Sequence, residues 1–179
     1  MALTLPTTKQ AALLRTLEAR PATIHNGDPA HPDIPGTAAA VRARLNPLAA
    51  RGWLTVPITG NGSITPTHFG LVLAADREAL DVWRTGAPER AGIRVEHRSR
   101  GGKNIRGRGQ RNHAGRNVTC VACREDKRAR GTQTDYWAPV WYSNEANAQR
   151  DAEIAAGRHY REHREHLSGE GLPALPEGP

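Results

Sequence analysis

Cys120 and Cys123 stand three positions apart, and His159, His163 and His166 recur at helical spacing near the end of the chain. A C-x-x-C lets both thiolates approach one metal ion from a tight knuckle, and imidazoles one helical turn apart can complete the tetrahedron that Zn2+ prefers. The candidate metal set is therefore Cys120, Cys123, His159 and His163, with His113 or His166 as substitute ligands. A thioredoxin-like redox pair would open a helix after a buried strand, and the flanking Arg116, Asn117 and Arg124 offer no such context. The plainer alternative is a pair of ordinary free thiols, with the histidines paired to Glu162 and Glu165. Two cysteines at this spacing exclude a structural disulfide framework.

A second kind of chemistry lies between Arg94 and Arg116, where the chain reads RVEHRSRGGKNIRGRGQRNHAGR. Glycine lets a backbone come close to phosphate, and guanidinium groups pair with phosphate oxygens two bonds at a time. The segment has almost no apolar side chain beyond Val95 and Ile105, so it cannot form a core by itself. It is expected to act as an arm on nucleic acid through Arg98, Arg100, Lys103, Arg106, Arg108 and Arg111; the alternative is a solvated linker. Such segments bind RNA as readily as DNA.

Elements must position these groups. The last helix is expected to start near Ser143 or Asn144 and run toward Leu167, and its least polar stripe passes through Ala148, Ala152 and Ala155 or Ala156 into the histidines. A hairpin containing Tyr136, Trp137, Val140 and Trp141 should precede it. In the first half, Thr7 and Gln10 have capping-box spacing at the start of a helix over 8–20, with Leu13, Leu14 and Leu17 as its apolar stripe. Arg20 to Gly36, with only Ile24 and Ile34 as apolar anchors, reads as mostly loop with at most one short helical turn. Thr37 should cap an alanine-rich helix carrying Val41, Leu45 and Leu48, which Pro47 should end or kink at a cost of about 3 kcal/mol. Gly52 follows as its left-handed C-cap, and Trp53 to Ile58 reads as an alternating strand with Leu54, Val56 and Ile58 on one face. A Gly60-Asn61-Gly62 turn should lead to a return strand from Ser63. Thr65 and Pro66 then fit an N-cap and first helical position before Phe69, Val72 and Leu73, in a helix running to about Ala75 that Asp76 to Trp83 can continue.

Leu48, Arg51, Gly52, Trp53 and Leu54, followed by Ile64, Thr65, Pro66, Gly70 and Leu73, give this stretch a pattern that resembles the winged helix-turn-helix family, MarR-like regulators in particular. The resemblance covers about residues 8–75. It implies that Thr37, Arg42 and Arg44 approach the major groove of DNA while Asn61 at the wing tip meets the minor groove or a phosphate. The helix that should precede the recognition helix is short or missing between Pro21 and Gly36. Residues 120–166 more distantly resemble a stretched C2H2-type zinc module, with a far longer interval between Cys123 and His159 than such fingers use.

The expected architecture is α+β: a winged-helix domain over 1–88, a basic Gly/Arg-rich arm over 89–116, a zinc-stabilised hairpin-plus-helix module over 117–167, and a disordered tail over 168–179. The 179 residues, 37% hydrophobic, suffice for two modest cores, and a net charge of +7 with an isoelectric point of about 10.2 favours polyanionic partners. No membrane span or secretory signal is evident, which predicts a cytoplasmic protein. The leading expectation is a non-catalytic DNA-binding regulator, compatible with a homodimer and with Zn2+ as cofactor. RNA binding and a protein-interaction adaptor are the alternatives. A metal-dependent HNH-like nuclease is a weaker one, because the residues that would activate water are missing.

Overall fold

Thr7 is an N-cap: its hydroxyl accepts from the Gln10 amide at 3.2 Å, and the Gln10 side chain accepts from the Thr7 amide at 3.0 Å. This box starts α1, Thr8–Ala19, which buries Ala11, Leu14 and Leu17. The computed structural model describes residues 4–98, 114–123, 140–142 and 145–162. Two units divide the chain, one over Leu3–Glu78 and one over Ala79–Gly178.

The first difference from expectation follows α1. Residues 20–36, expected as loop, contain strands β1 (Ala22–His25) and β2 (Asp28–Ala30), paired antiparallel with His25 opposite Asp28. The turn is Asn26-Gly27, both at positive φ (50° and 84°), which matches the right-handed twist of a two-residue hairpin. The hairpin occupies the place where the winged-helix resemblance calls for a further helix.

Thr37 caps α2, Ala38–Ala49, by accepting from the Ala40 amide, and Val41, Leu45 and Leu48 are buried. Pro47 lies inside α2 instead of ending it. Proline forfeits one helical hydrogen bond near the C-terminus, a cost of about 3 kcal/mol, whereas burying Leu48 returns roughly 2 kcal/mol. Two further contacts hold the last turn: Arg51 donates to the Pro47 carbonyl at 2.9 Å, and the Trp53 amide donates to the Leu48 carbonyl at 3.0 Å. Gly52 takes the expected left-handed angle, φ 69°.

The strand expected from Trp53 to Ile58 shrinks to β3, Leu54–Thr55, because Pro57 has no amide to give the ladder. Val56 and Ile58 are consequently exposed. Strand β4, Gly62–Pro66, pairs with both β3 and β1, giving one antiparallel sheet in the order β2-β1-β4-β3. The cap of the next helix falls two residues later than expected: Thr65 and Pro66 belong to β4, and the Thr67 hydroxyl accepts from the Gly70 amide at 3.0 Å to start α3, His68–Arg84. Gly70 is required there, since a Cβ would stand 2.5 Å from the Trp53 carbonyl oxygen.

The core of this unit joins Leu14 and Leu17 of α1, Val41, Leu45 and Leu48 of α2, Trp53 and Ile64 of the sheet region, and Leu73 of α3. Phe69 and Val72 of α3 lie outside it, half exposed. Arg15 grips Glu78 with two hydrogen bonds, 2.7 and 3.1 Å, and bonds Glu18 at 2.8 Å. The Glu78 carboxylate raises the guanidinium's already high pKa.

In the second unit, a short α4 (Ala87–Arg90) leads into β5, Ile93–Arg98, which pairs antiparallel with β6, Ala114–Cys120. A helical turn, α5, begins at residues 121–123. Strand β7 (Val140–Tyr142) adds to the other side of β6, and α6 (Glu145–Glu162) follows. Ile93, Val118, Cys120, Ala152, Ala156 and Tyr160 form this second core. The expected boundaries shift accordingly: within the 89–116 stretch, Ile93–Arg98 and the residues from Ala114 onward are paired strands of one sheet, because Ile93, Val95 and Val118 have apolar partners to bury against. The whole is a mixed helix-and-sheet protein with small antiparallel sheets, and among the described residues no helix is long and apolar enough to cross a membrane.

A candidate metal centre and a basic hairpin

Cys120 is the last residue of β6, opposite Ile93, and is buried. The turn that starts at residue 121 brings Cys123 back toward it, so the C-x-x-C forms the knuckle its spacing allows. Across from the knuckle, α6 presents Ala148, Ala152, Ala156 and His159 to the interior, and His159 is fully buried. The alanine stripe thus does end in a histidine, since steps of four, four and three residues keep one face of a helix.

His159 Nε2 lies 3.3 Å from Cys123 Sγ, and the ligand atoms of Cys120, Cys123 and His159 all lie within 4.8 Å of one another. Zinc with bonds of about 2.3 Å to sulfur and 2.05 Å to nitrogen holds neighbouring ligand atoms about 3.6–3.8 Å apart. The three residues lie close enough together to hold one metal ion. Two soft thiolates and an imidazole suit Zn2+ better than Mg2+ or Ca2+, which take oxygen ligands. Both cysteines are free thiols. His163, His113 and His166 lie outside the described residues.

Sequence reasoning missed Tyr160, which follows His159 and is also fully buried. Its periodicity is the only signal: Ala152, Ala156 and Tyr160 recur every four residues, a stripe beside that of the histidines.

The basic segment is anchored at both ends. Arg98 stands opposite Gly115 at the far end of the β5–β6 ladder from Cys120, so residues 99–113 connect two neighbouring strands of one hairpin and do not link separate modules. Residues 94–116 hold eight Lys/Arg against one Glu, a net +7 equal to that of the whole chain. The rest of the sequence, taken together, therefore sums to zero. Arg98 is at the ladder's end; Arg100, Lys103, Arg106, Arg108 and Arg111 lie outside the described residues. Arg116 is tied down, its Nε donating to Gln149 Oε1 at 2.7 Å.

The candidates of the first unit are largely engaged inside it. Thr37 is spent as the α2 cap. Arg42 donates to the Gly27 carbonyl at 2.7 Å and to Asp28 Oδ1 at 2.9 Å, closing on the hairpin that sequence reasoning did not foresee. Asn61 Oδ1 accepts from the Asn26 amide at 2.9 Å, and the Gly27 amide donates to the Gly60 carbonyl at 2.7 Å, so the β3–β4 and β1–β2 turns hold one another. Arg44 alone of the four is exposed with no bonded partner among the described residues. No family model, curated protein or solved structure matches the chain.

Proposed function

We propose that this chain is a non-catalytic DNA-binding protein of the regulator kind, in which a basic hairpin on a zinc-stabilised module supplies most of the attraction to phosphate. The first unit is a winged helix whose β1–β2 hairpin replaces one helix and whose β3–β4 connection is the wing. Cys120, Cys123 and His159 hold Zn2+, with His163, one helical turn beyond His159 in sequence, as the fourth ligand. Bound there, the metal ties the strand end and the knuckle to α6 and has no catalytic step to perform.

The observation that carries this reading is the pairing of Arg98 with Gly115, which closes the most basic stretch of the chain into a hairpin connection. A linker would be expected to join different bodies. A loop returned to its own sheet, with five Lys/Arg and no Asp/Glu over 99–113, places its charges together at one end of a support. Phosphate contacts of this kind orient a protein on a duplex without reading bases, and Arg44 remains available for a base edge.

The test is a titration of zinc-loaded full chain against duplex DNA, single-stranded DNA and RNA at several salt concentrations, with zinc measured on the same sample. Tightest binding to duplex DNA, weakening steeply with salt, supports the proposal. Equal indifference to all three polyanions at low salt removes it, and preference for RNA moves the partner.

A further inference from the structure

Beside His159, the buried face of α6 carries a second polar group. Tyr160 is fully buried, and its hydroxyl, shielded from solvent, has no hydrogen-bond partner among the described residues. A hydroxyl taken out of water ordinarily recovers the bond it loses, so a buried one left alone calls for an explanation such as a nearby ion.

The chemistry around Tyr160 narrows what that partner can be. The residue shares one core with Ala87, Ile93, Val118, Ala152, Ala156 and Cys120. The first five have hydrocarbon side chains, which leaves the sulfur of Cys120 as the side-chain acceptor of the set. Cys123, packed against the same core, is partly exposed, so water can reach it. Cys120 is only 2% exposed. A thiolate at that depth depends on donors supplied by the protein, because an unpaired charge in a low-dielectric interior is costly.

We infer that Tyr160 is a positioning residue of the metal centre, its hydroxyl donating a hydrogen bond to the Cys120 thiolate when the metal is bound. The inference rests on the reading of Cys120, Cys123 and His159 as that centre. A neutral thiol is a weak acceptor. Ligation removes its proton and leaves a charged sulfur, to which hydrogen bonds are stronger. Coordination of one ion by the three ligands also draws the end of β6 and α6 toward each other. The hydroxyl thereby gains its missing partner, and a charge that solvent does not reach gains a donor. Groups that bond to metal ligands in this way orient them and tune their hold on the metal.

Tyr160→Phe keeps the ring and removes the oxygen alone. Zinc affinity of the full chain is measured by chelator competition, and melting is followed by circular dichroism with and without zinc. The variant should bind zinc about 10- to 100-fold more weakly. Stripped of metal, it should melt no lower than the unaltered chain, since the oxygen it lacks had no partner to lose. A tyrosine that only fills the core would leave zinc affinity alone. With Co2+ in place of zinc, loss of a hydrogen bond to sulfur should move the thiolate-to-metal charge-transfer band to longer wavelength, and iodoacetamide should alkylate Cys120 of the zinc-loaded variant several-fold faster. Equal zinc affinity, an unmoved band, or an equal drop in melting temperature with and without metal would each overturn the role of Tyr160 alone. An unaltered chain that binds no zinc would overturn the metal centre and this role with it.

Discussion

Replacing Arg100, Lys103, Arg106, Arg108 and Arg111 together by Gln removes five charges from residues 99–113 while leaving both strands of the β5–β6 ladder intact. On duplex DNA each neutralised phosphate contributes about 0.9 to the slope of log affinity against log salt. If all five side chains reach phosphates, the slope should flatten by about 4.5. The unaltered chain should then lose about 500-fold in affinity through this loop alone on moving from 50 to 200 mM salt. Reach permits it: fifteen residues folded back on themselves extend at most about 25 Å, and one DNA strand offers a phosphate about every 3.4 Å along the axis. On single strands the same five contacts should give a change nearer 3.5. Fluorescence anisotropy at four salt concentrations measures both slopes, and thermal melting checks that the variant keeps its fold. A slope that changes by less than one would refute the assignment of the loop to phosphate, whatever happens to the affinity at a single salt concentration.

Cys123→Ser and His159→Asn should each lower bound zinc from one per chain to below about 0.2 by mass spectrometry of the metal, and should melt the second unit at lower temperature; full retention of zinc by both would remove the centre. Gly157→Ala drives a Cβ into the Ala79 carbonyl, a backbone group that cannot swing aside, so urea denaturation should show a loss of about 3 kcal/mol, and a neutral result would mean that this contact yields easily. Asp28→Asn releases Arg42 from an exposed ion pair, which should change stability by less than about 1 kcal/mol while strengthening duplex binding two- to threefold; weaker binding would show that the Asp28–Arg42 contact supports the site.

What the sequence made legible was whatever one element declares within its own few residues. The Thr7–Gln10 box, the Thr37 cap, the left-handed Gly52 and the buried Val41, Leu45 and Leu48 all depend on neighbours within a turn or two, and each is found in place. The Asn26-Gly27 hairpin was equally local and was overlooked, because the two apolar anchors around it, Ile24 and Ile34, are too few to display alternation. Pro47 misled for the opposite reason: its local penalty is offset by Leu48 and Arg51 only once the helix packs. The remaining differences are long-range. Nothing near Arg42 announces that Asp28, fourteen residues earlier, will hold it.

The same distinction bears on where function resides. A candidate contact read from a family pattern is specified by position along an element, but its availability is decided by partners from elsewhere in the chain. Thr37, Arg42 and Asn61 occupy the positions that the resemblance assigns to nucleic acid, and each has found a partner inside the unit. The 99–113 connection differs in kind, since it holds five Lys/Arg and no carboxylate of its own. Charge that lacks an acidic neighbour in sequence is left to water and counterions, to an acid elsewhere in the chain, or to a ligand. Outside residues 94–116 the Lys/Arg and Asp/Glu counts are equal, so the net charge of +7 equals the surplus of that segment. It is this surplus, more than the shape of the first unit, on which the proposal of a polyanionic partner rests.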